Sequence, residues 1–308
     1  MLVRNPPVEV TDRITMLGTN EYPIYLVRGT EGAALFEGGS GPMGPVVREQ
    51  LEQLGIDAAQ IKQIVIPHAH PDHVMAVPSL RSLCSGATVL ASEIAAKTLS
   101  AEKAIGLFCR LDDAVTDWLI QTGRIRDDQR RPPLETQQIA VDQILKEGDA
   151  VTVDGSSFEV LATPGHSDCS LSFYDAATGV LIISDATPYY MPDLDAWWPG
   201  YFSGYEAYVA SMERLASLGA EVVCLGHHAA VRGADAVKDF FQRAIAAAQS
   251  YHERIVSEKQ AGKSTREIAE QLGQEIYEKT PSLSLDFFQK NCALMVKQSL
   301  RAAGVSED

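Results

Sequence analysis

The sequence predicts an α/β protein built as two successive β/α halves followed by a helical C-terminal extension. Three observations carry this. Short β-branched apolar runs, bounded by glycine and proline, alternate with helical periodicities as far as residue 225. After Gly233 the strand-like runs stop and apolar residues recur only at helical spacing. A chain of 308 residues with 45% apolar and 22% charged side chains can also bury a sizeable core. The expected division is a main β/α body over residues 1–235 and a helical extension over 236–308.

Residues 14–17, 24–27 and 34–36 read as strands, and 37–41, with three glycines, as the loop that ends them. Residues 46–54 have helical spacing, and Gly55 closes them. Residues 63–67 form a β-branched strand core, a helix follows through Leu83, and 88–91 is the next strand. Residues 92–125 carry apolar positions at Ile94, Leu99, Ile105, Leu111, Val115 and Leu119 and read as a helical insertion. Residues 126–137, charged and holding Pro132-Pro133, read as a loop. Strands resume at 150–153, 158–162, 171–174 and 180–184, with Asp154-Gly155 as a hairpin turn between the first two. Residues 186–202 read as an aromatic-rich loop, 205–218 as a helix and 221–225 as the last strand. Val237, Phe240, Phe241, Ala244, Ala248 and Ile255 then trace one helix. Ser264 and Glu267 form a capping box for a second, which Gly273 closes, and Leu285, Phe288, Cys292, Val296 and Leu300 mark a third.

Lys and Arg number 26 against 41 Asp and Glu, a formal net charge of −15. Nucleic-acid binding needs a basic face, and an anionic membrane surface repels such a chain, so neither partner is expected. No apolar run approaches the roughly 18 residues of a membrane span. Residues 1–7 lack the basic and apolar pattern of a secretory leader. The five cysteines, scattered and without a Cys-x-x-Cys pair, read as reduced thiols. Together these features lead to the expectation of a cytoplasmic protein.

The chemistry sits in the seven histidines. Three fall in His68-Ala69-His70-Pro71-Asp72-His73, directly after the apolar residues 64–66. Pro67 and Pro71 oppose a regular helix there, so the run forms a turn at a strand end. His-x-His sets two imidazoles on one side of an extended backbone, ready to share one ion. Asp72 and His73 point elsewhere, towards a second. His166, Asp185 and His227 each follow another strand-like run. Gly165 and Gly226 remove side-chain bulk beside two of them. Imidazole and carboxylate donors gathered from several strand ends are what a divalent-metal site requires. His252, in mid-helix, is expected to be an ordinary helical residue.

His-x-His-x-Asp-His, Thr-Pro-Gly-His166, Ser-Asp185 and Gly-His227 follow one another at intervals of 93, 19 and 42 residues. Over residues 12–232 this pattern resembles the metallo-β-lactamase superfamily. The resemblance implies an αββα sandwich with the site at one edge, between two sheets. It implies one metal on His68, His70 and His166, a second on Asp72, His73 and His227, and Asp185 bridging both. Asp72 and Asp185 would then be the catalytic carboxylates. In Gly226-His227-His228, superfamily spacing makes His227 the ligand and leaves His228 as a supporting donor or pocket residue. Zinc is the default metal, and iron or manganese suits the same donors. Asp185 stands where the main class of zinc β-lactamases carries Cys, and that class lacks the His73 ligand. His70 stands where flavo-diiron proteins carry Glu. The remaining groups are glyoxalase II, lactonases and acyl-CoA thioesterases. The layout is most similar to the quinolone-pathway thioesterase, which acts on 2-aminobenzoylacetyl-CoA, and to the glyoxalase II-like group. The implied reaction is attack of a metal-bridging hydroxide on a small-molecule thioester. Lactone or ester hydrolysis at the same site, and an iron-dependent persulfide dioxygenase, are the alternatives.

Seven of the 22 aromatic residues lie between Tyr189 and Tyr205, just after Asp185. Tyr189, Trp198 and Phe202, with His228 and Phe288 of the extension, are expected to line an apolar pocket suited to an acyl group. Phe287 and Met295 could cap it. The same C-terminal helices could instead be packing or a homodimer face.

Overall fold

The computed structural model describes residues 1–307. The first half runs β1 (Leu2–Val3), β2 (Val8–Thr11), β3 (Ile14–Gly18), β4 (Pro23–Arg28), β5 (Ala33–Phe36), α1 (Met43–Leu54), β6 (Ile61–Val65), α2 (Val77–Leu83), β7 (Thr88–Ser92), α3 (Glu93–Leu99), α4 (Glu102–Gln121) and β8 (Gln143–Leu145). The second runs β9 (Ala150–Val153), β10 (Ser156–Ala162), β11 (Leu171–Asp175), β12 (Val180–Ser184), β13 (Tyr189–Met191), β14 (Ala196–Trp198), α5 (Tyr205–Ser217), β15 (Val222–Leu225) and β16 (Ala230–Arg232). Helices α6 (Ala234–Gln260), α7 (Thr265–Tyr277) and α8 (Leu285–Ala302) follow.

Two seven-stranded sheets result, ordered β2-β3-β4-β5-β6-β7-β8 and β1-β16-β15-β12-β11-β10-β9. Alternate residues of each strand go to different apolar layers. In β4, Tyr25 and Val27 enter the layer between the sheets, and Ile24 and Leu26 pack under α1 and α2. In β12, Val180 and Ile182 meet Phe158 and Phe173 between the sheets, and Leu181 and Ile183 pack with Leu215 of α5 and Phe241 of α6. Both faces of each sheet are thus covered, which is why the central strands read as continuous apolar runs. The architecture is an αββα sandwich with a C-terminal helical region.

The structure departs from the sequence reading at identifiable places. β1, β2 and β8 are short edge strands and β16 is a three-residue strand between β1 and β15; they are too short to show a periodicity and exist by pairing: Leu2 opposite Val231, Val8 opposite Met16. The insertion breaks into α3 and α4 at Ser100-Ala101. The aromatic loop contains the hairpin β13–β14, where Tyr190 stacks on Trp197 at 4.3 Å. Gly273 lies inside α7 and does not close it. Among the described residues, no helix is long and apolar enough to cross a membrane.

Candidate metal centre

Strands β6, β10, β12 and β15 end at the same edge of the sandwich. β12 and β15 are parallel, and β10 matches their direction because it is antiparallel to β11, itself antiparallel to β12. The turn after β6 supplies His68, His70, Asp72 and His73, the last two on a single 3₁₀ turn. β10 leads to His166, β12 to Asp185 and β15 to His227. A Cβ on Gly226 would collide with Asp185 Oδ1, so a glycine is needed there for that carboxylate to reach the centre. Gly165 is needed for a different reason. Its φ is +126°, and a Cβ there would strike the backbone of Tyr208 in α5 rather than anything at the centre.

All seven donors converge. His68, His70 and His166 form one group, Asp72, His73 and His227 a second, and His68, His73 and Asp185 a third; within each, the donor atoms lie within 4.8 Å of one another. Asp185 sits between the first two groups. Its Oδ2 is 3.3 Å from His166 Nε2 and 3.4 Å from His73 Nε2, and its Oδ1 is 3.4 Å from His227 Nε2. Asp72 Oδ2 is 3.6 Å from both His73 Nε2 and His227 Nε2.

The outer ring nitrogens decide what the inner ones offer. His166 Nδ1 donates to the Gly200 carbonyl at 2.7 Å, and His227 Nδ1 donates to the Glu21 carbonyl at 2.7 Å. A carbonyl can only accept, so in the neutral ring each Nδ1 carries the proton and each Nε2 presents a lone pair. His73 Nδ1 faces the buried Glu37 carboxylate at 2.8 Å, with the same consequence. His68 Nδ1 is held by Ser184 Oγ at 3.2 Å. His70 turns its Nδ1 inward, 2.9 Å from His166 Nε2.

His68 Nε2 and His73 Nε2 are buried without a hydrogen bond. Burial, and then the neighbouring imidazoles, hold His68 well below the usual histidine range, and the same causes push His70 down to about 3. Burial likewise lowers His166. For His73 burial is outweighed by Asp185, Glu37 and Asp72, which raise it well above that range. Burial would raise Asp185, but His73, His227 and His166 hold it well below the usual carboxylate range. Asp185 likewise raises His227 against its burial. Three imidazoles kept neutral by burial, and two drawn towards carboxylates that a cation would satisfy instead of a proton, are a donor set that fits divalent cations.

A cavity of ≈ 250 Å³ opens over the cluster, bordered by His70, Asp72, His166, Asp185 and His227. Tyr189, Trp198, Phe202 and Phe288 line it, as does Phe287. His228 does not. It stands behind Tyr189, whose hydroxyl lies 2.7 Å from its Nε2. Met295 is fully buried in the helical layer with Tyr201 and Tyr208. His252 stacks on Tyr205 at 3.9 Å and takes no part in the cluster. Sequence reasoning missed Glu37, whose only local signal was a carboxylate in a glycine loop. It also missed the cavity wall on α4, where Phe108, Leu111 and Val115 recur at the spacing of an ordinary core stripe.

Residues 18–227 match the family description "Metallo-beta-lactamase superfamily". A curated relative, the hydroxyacylglutathione hydrolase of Fuscovulum blasticum, is 25% identical over 185 residues, 59% of this chain. The match spans 54% of that relative's own length, about half. A metallo-beta-lactamase family protein from Thermus thermophilus superposes with a TM-score of 0.62 at 23% identity, covering 98% of this chain and 92% of that one. A metallo-beta-lactamase of Cronobacter sakazakii gives 0.58 at 20% identity over 84% and 96%. An archaeal superfamily protein from Sulfolobus tokodaii gives 0.55 at 19% over 75% and 85%. At these identities the structural likeness is one of fold.

Proposed function

Because the chain belongs to the metallo-beta-lactamase superfamily, we propose that it is a metal-dependent hydrolase and that its substrate is a thioester. The observation that carries the reading is the pair of donor triads with Asp185 between them, open to an apolar cavity. His68, His70 and His166 would hold one ion, Asp72, His73 and His227 a second, and Asp185 would touch both. Zinc, iron and manganese all suit these donors. When bound, such a pair supplies a nucleophile from water at neutral pH and polarises a carbonyl oxygen.

The chain's own groups do the rest. Glu37, Ser184, Gly200 and Glu21 fix the rings, so the donor atoms need little reorganisation. Asp72, part-exposed and lining the cavity, is placed to orient a water aimed at the substrate as well as to hold an ion. The aromatic wall excludes bulk water. Hydrolysis forms a C–O bond from water oxygen and breaks the C–S bond, releasing a carboxylate, a thiol and one proton. The hydroxyacylglutathione hydrolase relative is named for a thioester substrate, which supports that class. The second triad weighs against a persulfide dioxygenase, whose mononuclear site has no use for it.

The test is elemental analysis of protein purified without added metal, followed by side-by-side assay of acyl-CoA, acylglutathione and homoserine-lactone panels. The expected result is two ions per chain and turnover of thioesters. Preferential turnover of lactones would replace the thioester reading with the ester one, and one ion or none per chain would end the dinuclear reading.

A further inference from the structure

The cavity over the metal centre has a composition that selects between the two ends of a thioester. Its apolar walls come mainly from three elements, and Ser40, Thr187, Thr280, Ser282 and Asn291 add a few polar groups at its border. α4 contributes Phe108, Leu111 and Val115, β14 and the segment after it bring Trp198 and Phe202, and α8 brings Phe288. Trp198 and Phe288 pack ring to ring at 5.5 Å. Among the described residues no Lys or Arg lines this space. The one carboxylate there outside the metal cluster is Asp112. It is 2% exposed and already committed, Oδ1 to the Gly41 N–H at 2.6 Å and Oδ2 to Arg131 Nε at 2.7 Å. An anion entering the cavity beyond the metal centre would meet aromatic faces and find no Lys or Arg. The whole chain, at −15, repels it as well.

We propose that the cavity takes the acyl half of the substrate, and that this half is uncharged and hydrophobic, a medium-length chain or a single aromatic ring. The inference rests on the thioester reading above. The thiol half lies towards the mouth, where water solvates its charges. An acyl group such as succinyl carries its carboxylate into the cavity. Burying that carboxylate among Phe108, Leu111 and Phe288 leaves it without a counter-charge. The chain therefore discriminates against acyl groups that carry a negative charge and favours apolar ones. Apolar area supplies the binding energy, so affinity for the transition state grows with each methylene until the cavity is full.

The experiment uses the full-length, metal-loaded protein and N-acetylcysteamine thioesters, which share one small neutral thiol. Acetyl, butanoyl, hexanoyl, octanoyl, phenylacetyl and succinyl esters are compared with S-lactoylglutathione. The expected kcat/KM rises about fourfold per added methylene up to the limit of the cavity, and both succinyl and lactoylglutathione substrates fall below hexanoyl. Leu111→Arg, which places a cation in the wall, should lower the octanoyl-to-acetyl ratio at least tenfold and raise the succinyl-to-acetyl ratio. Binding of the unreactive ketone analogues, with CH₂ in place of sulfur, is read in parallel by tryptophan fluorescence. It should tighten with chain length in wild type and lose that dependence in Leu111→Arg. If none of the thioesters is hydrolysed, the proposed function fails while the ketone series still decides the acyl pocket. A flat acyl series in both assays, or S-lactoylglutathione as the preferred substrate, overturns the inference.

Discussion

The outer nitrogen of each ring matters as much as the donor atom on its inner side. Glu37, 1% exposed, faces His73 Nδ1 and so sets both the tautomer and the basicity of that donor. Glu37→Gln keeps an acceptor and removes the charge. Affinity at the Asp72/His73/His227 triad should fall about 10–100-fold, with the other triad less affected, as read by competitive chelator titration. An equal loss at both, or none, would contradict this role. His70→Ala should lose most bound metal and His252→Ala none, because His252 is spent on a ring stack with Tyr205. Metal analysis of the two purified variants decides this. Asp112 makes a pH prediction. Burial pushes its carboxyl up to about 6, against the Gly41 N–H and Arg131. The folded chain then holds this proton where the unfolded chain has released it, so Asp112 makes stability fall as pH rises from about 4 to 6. Asp112→Asn removes that dependence. The unfolding free energy of the variant relative to wild type should therefore increase across the window, by roughly 3 kcal/mol at most. Urea titrations at the two pH values measure it, and a constant or shrinking difference would refute it.

Between elements, close approach overrides local signals. Gly273 looks like a helix terminator, yet α7 runs through it to Tyr277, because α8 crosses at that point. A Cβ on Gly273 would lie 2.6 Å from Gln289 Cα. Gly273→Ala should gain about 1 kcal/mol of helix propensity and lose about 1–3 kcal/mol to overpacking. The expected net effect is a lower urea midpoint, and a raised one would show that the two helices separate cheaply. The β13–β14 hairpin is held in a similar way. Tyr190 and Trp197 stack on each other, and Arg243 of α6 lies over both rings at 5.7 and 5.5 Å. The sequence around it shows only a dense run of aromatics, since its three-residue strands acquire definition from contacts with a helix about 50 residues away in the chain.

At the scale of the molecule, the helical extension is continuous with the β/α body. Val237, Phe240 and Phe241 of α6 share an apolar layer with Leu181, Ile183 and Val223 of the second sheet, and α8 walls the cavity. A chain ending at residue 235 should expose that layer and aggregate or lose cooperative unfolding. A monomeric 1–235 fragment with a single sharp transition would show instead that the body stands alone. The seven candidate donors that the fold brings together were legible in the sequence because short-range features mark them: His-x-His at a strand end, and His or Asp directly after other apolar strands. The central strands were legible for the same reason, since burial on both faces leaves unbroken apolar runs. Other features depend on partners remote in the chain and leave no local trace. β1 forms only because β16 lies beside it. Glu37 matters only because its loop folds against the turn of His73. Phe108, Leu111 and Val115 have the same spacing whether they face a core or a cavity. Sequence periodicity shows that a face is apolar, and tertiary packing alone determines whether protein or substrate covers it.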